Sequence, residues 1–85
     1  MGEREIGHVT HYFGHIGVAG VKITDGTLKV GDVIHVLGHT SDFTQPVESM
    51  QIEHDSVEEA HVGDEIGLKV LDHAREHDAV LLVSE

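Results

Sequence analysis

Glycine and aspartate turn signals cut this chain into segments that are too short to form stable helices. An isolated helix needs about 12–15 residues to be stable in water, whereas β-branched runs between turn residues are typical of strands. The segments here are rich in valine and isoleucine. The sequence therefore predicts an all-β fold whose six strands fall within residues 5–13, 16–24, 33–37, 45–53, 65–70 and 78–84.

Alternation of apolar and polar residues identifies one buried face of this fold. The predicted core consists of Val21, Ile23, Ile34, Val36, Ile66, Leu68 and Val70. Two segments break the alternation, because Ile6 and Val9 have opposite parity, and so do Val47 and Met50. A β-bulge or strong coiling would restore one buried face in each. Residues 57–60 alone have mild helical character, enough for one turn at most.

A short element recurs where strands are expected to begin. The sequence VGDVI at residues 30–34 resembles VGDEI at residues 62–66, and His77-Asp78 is a degenerate third copy in which histidine replaces glycine. Glycine supplies a positive φ and aspartate binds the turn amides. Two interpretations remain open: a turn that any strand entrance in a barrel would use, or a duplicated unit.

Length and glycine content favour one small closed barrel. A chain of 85 residues has room for a single core, so residues 1–85 are expected to form one domain. Closing the sheet would remove edges that a chain rich in valine and isoleucine must otherwise protect. We therefore expect a closed six-stranded β-barrel, and the ten glycines fit its tight corners.

The charge balance excludes several classes of partner. The chain has 16 acidic and 5 basic residues, for a net charge of −11, and the basic residues are scattered. Binding to nucleic acid needs clustered lysine and arginine, so DNA binding is not expected, and direct RNA binding and membrane binding are disfavoured. Cysteine is absent, so there are no disulfides or thiolate sites. We expect a cytoplasmic protein.

Two runs carry a resemblance to a known family. Residues 17–23 (GVAGVKI) and 25–34 (DGTLKVGDVI) resemble the second domain of translational GTPases such as elongation factor Tu, and residues 62–68 (VGDEIGL) resemble a later element of that domain. Residues 38–52 resemble small stand-alone translation elongation factor-like proteins. They are also similar to the C-terminal barrel of some collagenase-like peptidases. The resemblance implies a six-stranded barrel of the elongation factor Tu domain 2 type.

The resemblance also implies what this chain does. In that family a separate domain holds the nucleotide, and the phosphate-loop motif G-x-x-x-x-G-K-(S/T) is absent here, so neither GTP nor another cofactor is expected. The main hypothesis is a non-catalytic binding module, associated with translation, that contacts a protein or ribonucleoprotein. One alternative is an accessory barrel that completes a peptidase or other enzyme. Another is a metal-binding protein rich in histidine.

Candidate contact residues come from the polar stretch at residues 38–44, which is expected to be a loop, and from the segment after it. They are Thr40, Asp42, Phe43, Gln45, Met50 and Gln51. Phe43 has two possible roles, because a lone aromatic on a polar loop can anchor a partner or plug one end of the barrel. A contact residue and a plug differ in burial, which the structure can distinguish.

Candidate chemistry is limited to one histidine pair. Of the nine histidines, His73 and His77 have the H-x-x-x-H spacing of a metal-binding pair. The acidic run from residue 53 to 59 is expected to be a solvated loop. No serine has the G-x-S-x-G context of a hydrolase nucleophile. We therefore predict that the chain is not an enzyme.

Overall fold

The computed structural model describes residues 2–84, which form strands, turns and bends and contain no helix. No helix long and apolar enough to cross a membrane therefore occurs among these residues. The strands are β1 (Gly2–Phe13), β2 (Val18–Ile23), β3 (Thr27–Lys29), β4 (Val33–Leu37), β5 (Asp42–Pro46), β6 (Met50–Ile52), β7 (Asp55–Val57), β8 (Glu59–His61), β9 (Glu65–Lys69) and β10 (Ala79–Ser84). The all-β prediction is confirmed.

The strands assemble into two open antiparallel sheets. The larger has eight strands in the order β5-β4-β10-β1-β2-β9-β6-β7, and the smaller pairs β3 with β8. These ladders are not the closed ring of six strands expected from the sequence. The difference arises because the expected segment 45–53 is split between β5 and β6, and because residues 55–57 and 59–61 form β7 and β8. The helical turn expected at residues 57–60 is therefore wrong.

The long first strand bends through two irregularities. Its register with β10 shifts between Glu5 and Gly7, and its register with β2 shifts between Val9 and His11. A bulge adds a residue to one strand and reverses the side-chain parity beyond it. Ile6 and Val9 can consequently both be buried despite their opposite parity. The irregularity expected in this strand, a β-bulge or strong coiling, is thus found as two shifts of register.

Aliphatic side chains fill the interior, as their alternation in the sequence predicts. All seven predicted core residues are buried. The core also contains residues outside the predicted set of seven, among them Ile6, Val9, Leu28, Val47, Met50 and Val80. Full burial of an aliphatic side chain contributes about 1.5–3 kcal/mol, so this cluster is the main source of stability for a domain of this size.

Three turns with the same hydrogen bonds begin three of the strands. They cover residues 29–32, 61–64 and 75–78, immediately before β4, β9 and β10. In each turn the N–H of the final aspartate donates to the carbonyl of the first residue at 2.9–3.1 Å. The aspartate carboxylate in turn accepts the N–H of the first residue at 2.8–2.9 Å. The third copy predicted at His77-Asp78 is thus confirmed.

Each of these turns also binds one buried residue through two backbone hydrogen bonds of 2.7–2.9 Å. The third residue of the turn donates its N–H to the carbonyl of the buried residue. The N–H of the buried residue in turn donates to the backbone carbonyl of the turn aspartate. The buried residues are Val47 for the first turn, Ile23 for the second and Val9 for the third. These bonds tie chain segments together beyond the strand ladders and hold the turns rigidly against the core.

Candidate functional site

The predicted contact region lies mostly on a strand rather than on a loop. A short turn in which the Gly38 N–H donates to the Ser41 carbonyl at 2.8 Å leads directly into β5. Thr40 is exposed in this turn, and Asp42 is exposed at the start of the strand. Phe43 is half-buried and packs against the core, which favours the plug interpretation over the contact interpretation.

Gln45 has a structural role that the sequence did not reveal. Its side chain is buried, its Nε2 donates to the Lys69 carbonyl at 2.8 Å, and its Oε1 accepts the Leu71 N–H at 2.7 Å. One amide therefore binds two backbone groups, one from the last residue of β9 and one two residues beyond the strand. The Gln45 side chain is occupied in this way and is not exposed to a partner.

The last two predicted contact residues point in opposite directions because they are adjacent on β6. Met50 is buried in the core, and Gln51 is exposed on the outer face. Of the six predicted contact residues, Thr40, Asp42 and Gln51 are fully on the surface. Partner binding by these three remains a prediction.

Gln51 contributes to an apolar depression, which we call the hairpin groove. Its floor is the outer face of β2, β9 and β6, and the β1–β2 hairpin and the β6–β7 turn form its sides. The groove has a volume of about 340 Å³ and mostly apolar walls. It is lined by Phe13, Ile16, Val18, Gln51, Glu53, His54, Glu65 and Gly67. Phe13 is 47% exposed and Ile16 is 65% exposed.

Of the two predicted metal-binding histidines, His73 lines a second, shallower depression of about 530 Å³, which is polar and open, whereas His77 lines a separate one with Gly38 and His39. His73 packs against the Tyr12 ring with 4.6 Å between centroids, and the His77 backbone N–H donates to the Val9 carbonyl. Within residues 2–84 no three histidine, aspartate or glutamate side chains are grouped as metal ligands. Metal binding by His73 and His77 therefore stays a prediction from their spacing.

A third feature is a histidine held between two acids. His35 Nδ1 lies 2.9 Å from Glu3 Oε2, and His35 Nε2 lies 2.5 Å from Asp42 Oδ1. Both ring nitrogens can donate only when the imidazole is protonated. The hydrogen bond with Asp42, and then that with Glu3, raises the pKa of His35 above its ordinary value against the opposing effect of burial. The cluster joins β1, β4 and β5.

Comparison with known proteins places this fold in a family. Residues 17–80 match the family described as elongation factor Tu domain 2. This chain belongs to that family. The match covers the three repeated turns and most strands of this domain 2 fold, and it confirms the family resemblance seen in the sequence.

The curated relatives of this domain 2 chain are named as proteases. It is 38% identical over 82 residues to an uncharacterized protease, MJ0090, of Methanocaldococcus jannaschii, a match that covers 95% of this chain and 20% of that protein. It is 35% identical over 74 residues to a collagenase of Porphyromonas gingivalis, covering 86% of this chain and 20% of the collagenase. The chain therefore spans about a fifth of the length of these relatives.

Solved structures share the same fold. The C-terminal domain of a Geobacillus thermoleovorans protein assigned to the U32 peptidases superposes with a TM-score of 0.88 at 21% identity, covering 95% of this chain and 93% of that one. Its selenomethionine variant gives a TM-score of 0.85 at 22% identity, covering 91% and 96%. At this identity the likeness shows the fold alone.

Sequence reasoning does not reveal the hairpin groove as a site. The sequence pattern assigns its apolar members Phe13, Ile16 and Val18 to strands, and Glu53 to a solvated acidic loop. One signal does point to it: Phe13 and Ile16 flank the Gly14-His15 turn, so two large apolar residues must lie near an exposed hairpin end.

Proposed function

We propose that this chain is a non-catalytic accessory domain of a peptidase-type protein, and that it works by binding the remainder of that protein. The observation that carries this proposal is the extent of the match with MJ0090. Identity of 38% runs along 95% of this chain but involves only 20% of the protease. A segment of that size is suited to supporting a larger catalytic body rather than replacing it.

The side chains of this chain support a non-catalytic role. An activated nucleophile needs a base within hydrogen-bond reach. Buried Ser41 instead donates to the His73 backbone carbonyl at 3.4 Å. His35 is fully engaged by two carboxylates, so it has no free nitrogen for a nucleophile or a substrate. Peptide-bond cleavage is therefore assigned to the rest of the peptidase-type protein.

A protein partner suits the surface better than RNA does. The net charge of −11 repels phosphate, and the hairpin groove offers apolar walls rather than a basic track. The family match to elongation factor Tu domain 2 favours instead the translation-associated binding module expected from the sequence. We give precedence to the peptidase assignment because full-length relatives named as a protease and a collagenase align over 86–95% of the chain.

The test is binding in trans to a relative that lacks its own copy of this domain. We would delete from MJ0090 the segment that matches this chain and titrate the truncated protein with this chain by calorimetry. The proposal predicts saturable one-to-one binding. Intact MJ0090 is the control, because its own segment occupies the docking position and should prevent binding. Absence of binding to the truncated protein, or equal binding to both proteins, would contradict the proposal.

A further inference from the structure

We infer that the hairpin groove is the docking surface of this domain and that it receives a protein segment in which an apolar side chain is flanked by lysine or arginine. This inference rests on the proposed function, since it names the surface and the chemistry of the partner. Three features of the described residues converge on it: an exposed apolar wall, an unfilled floor, and a rim that adopts a costly backbone conformation.

The wall consists of apolar side chains that the fold leaves uncovered. Phe13 and Ile16 lie at the end of the β1–β2 hairpin and are 47% and 65% exposed. Val18 continues the wall onto the outer face of β2. Covering these side chains would remove apolar surface from water, which favours binding of an apolar partner. Single exposed apolar residues are ordinary, but these three line one depression and form a continuous apolar wall that a single partner side chain can cover.

The floor is open because a glycine occupies the middle of a strand. Gly67 lies on β9 between β2 and β6, where it pairs with Gly20 and Gln51. Its φ is not positive, and a Cβ placed there would meet Val18 Cγ1 at 3.6 Å, an ordinary contact distance. The fold therefore does not require glycine at this position. A strand-interior glycine often marks a bulge, a tight bend or a place where another chain approaches closely, and the ladders on both sides of Gly67 show no bulge.

The rim is built from residues poorly suited to its turn. Glu53 and His54 join β6 to β7 with φ values of 51° and 71°. Two successive positive φ values form the type I′ hairpin turn, for which Asn-Gly is the favoured sequence. A residue with a Cβ is strained in this region of backbone conformation, whereas glycine is not. Such local strain is often retained where the side chains have a function, and both of these side chains line the groove.

The charge of the rim indicates the partner. Glu53 and Glu65 stand at the groove, and neither forms an ion pair with another of the residues 2–84. Glu65 lies directly opposite Lys22 in the β2–β9 ladder, so Glu53 is the carboxylate that is fully available to a cationic partner. A second copy of this chain would bring a net charge of −11 to the same rim. The complementary occupant is thus an apolar anchor between basic side chains.

The first experiment is an NMR titration of this chain, labelled with ¹⁵N, against two tetrapeptides. One carries isoleucine and phenylalanine between two lysines, and the other carries the same pair between two glutamates. The inference predicts amide shifts concentrated at Gly67, Gln51 and Glu53 with the lysine peptide. It also predicts binding at least about tenfold weaker for the glutamate peptide, and weakening of the lysine peptide by salt. Equal binding of both peptides, or shifts centred elsewhere, would overturn it.

Two variants separate the groove from the stability of the fold. Gly67→Val fills the floor with a residue that favours strands and should abolish the peptide shifts while the domain stays folded. The double variant Glu53→Asn, His54→Gly installs the favoured turn and should raise the melting temperature while weakening binding about tenfold. Glu59→Gln, an exposed acid on β8 outside the groove, is the matched control and should bind normally.

The outcomes also separate this inference from the proposed function. Tight binding to truncated MJ0090 that persists in Gly67→Val would keep the accessory role and reject the groove. Peptide binding at the groove without binding to truncated MJ0090 would keep the groove and reject the peptidase assignment. Concentration-dependent dimerisation with shifts at the groove would mean that a second copy covers it, and would overturn the inferred partner.

Discussion

The backbone N–H of His77 donates to the Val9 carbonyl at 2.8 Å while His77 holds a φ of 74°. Gly31 and Gly63 make the equivalent bonds to Val47 and Ile23 with φ values of 100° and 96°. Histidine therefore occupies a position that two other copies of the same turn give to glycine. The shared hydrogen bonds, rather than the shared residue, define this turn.

The backbone conformation of these turns predicts opposite effects for two kinds of substitution. Gly31→Ala and Gly63→Ala should each lower the free energy of unfolding by about 1 kcal/mol, because the positive φ strains any residue with a Cβ. His77→Gly relieves that strain and should leave stability unchanged or raise it by up to about 1 kcal/mol. Urea denaturation would measure all three.

Gly2→Ala is the matched control for the turn variants, because Gly2 has no positive φ and a Cβ at that position would meet nothing within 4 Å. It should not destabilise the protein. A loss of stability in His77→Gly comparable to that in Gly31→Ala would show that the His77 side chain, rather than its φ, matters at this turn.

The Gln45 amide predicts a large effect from a residue that looks polar and peripheral in the sequence. Gln45→Ala leaves the Leu71 N–H and the Lys69 carbonyl without their partner. Because Lys69 and Leu71 are exposed residues, each lost hydrogen bond should cost about 0.5–1.5 kcal/mol, so we expect a loss of roughly 1–3 kcal/mol in a urea melt. Thr44→Ala, its exposed neighbour, should change stability by less than about 0.5 kcal/mol. Equal effects of the two would contradict the role of this amide.

Stability should depend on pH through His35. Its pKa is raised in the folded state by Asp42 and Glu3, so its contribution is complete below the unfolded value of about 6.5. That contribution is lost as the pH rises through the higher folded pKa. The stability advantage of the wild type over His35→Gln should therefore be larger at pH 6 than at pH 9. Asp42→Asn should lower the His35 pKa in an NMR titration, and a pKa unaffected by Asp42→Asn would contradict the pairing.

Phe43 should behave as a partly buried plug. Phe43→Ala is expected to cost about 2 kcal/mol, less than the 3–5 kcal/mol of a fully buried phenylalanine, because the ring is only half-buried against the core. Leu68→Ala, at a fully buried site, should cost roughly 2–5 kcal/mol and serves as the comparison. A Phe43→Ala protein as stable as the wild type would restore Phe43 as a surface contact residue.

Local patterns in the sequence are enough to predict the fold class, the buried face and the repeated turn. Period-two alternation identifies residues such as Ile34 and Leu68, since it needs only one strand to be assigned correctly. The parity conflict between Ile6 and Val9 is enough to predict that β1 is irregular, through a bulge or strong coiling. The His77 turn can be predicted because aspartate at the next position keeps the turn chemistry when glycine is replaced.

Features that depend on distant contacts could not be predicted. Gln45 binds backbone groups 24 and 26 residues away, and no local pattern indicates such a partner. The break between Pro46 and Met50 follows from the hydrogen bonds of Val47 with a turn in another part of the chain. The hairpin groove could not be predicted from the sequence, because Glu53 and His54 are not the asparagine and glycine that usually indicate a type I′ turn.

The measurement that tests the accessory role most directly is collagen cleavage by a domain-swapped collagenase. In the Porphyromonas gingivalis enzyme, the 74-residue region that matches this chain at 35% identity would be replaced by this chain, or deleted. Our account predicts that the swapped enzyme cleaves collagen and that the deletion variant does not. A swapped enzyme that is folded but as inactive as the deletion variant, or a deletion variant that is fully active, would contradict it.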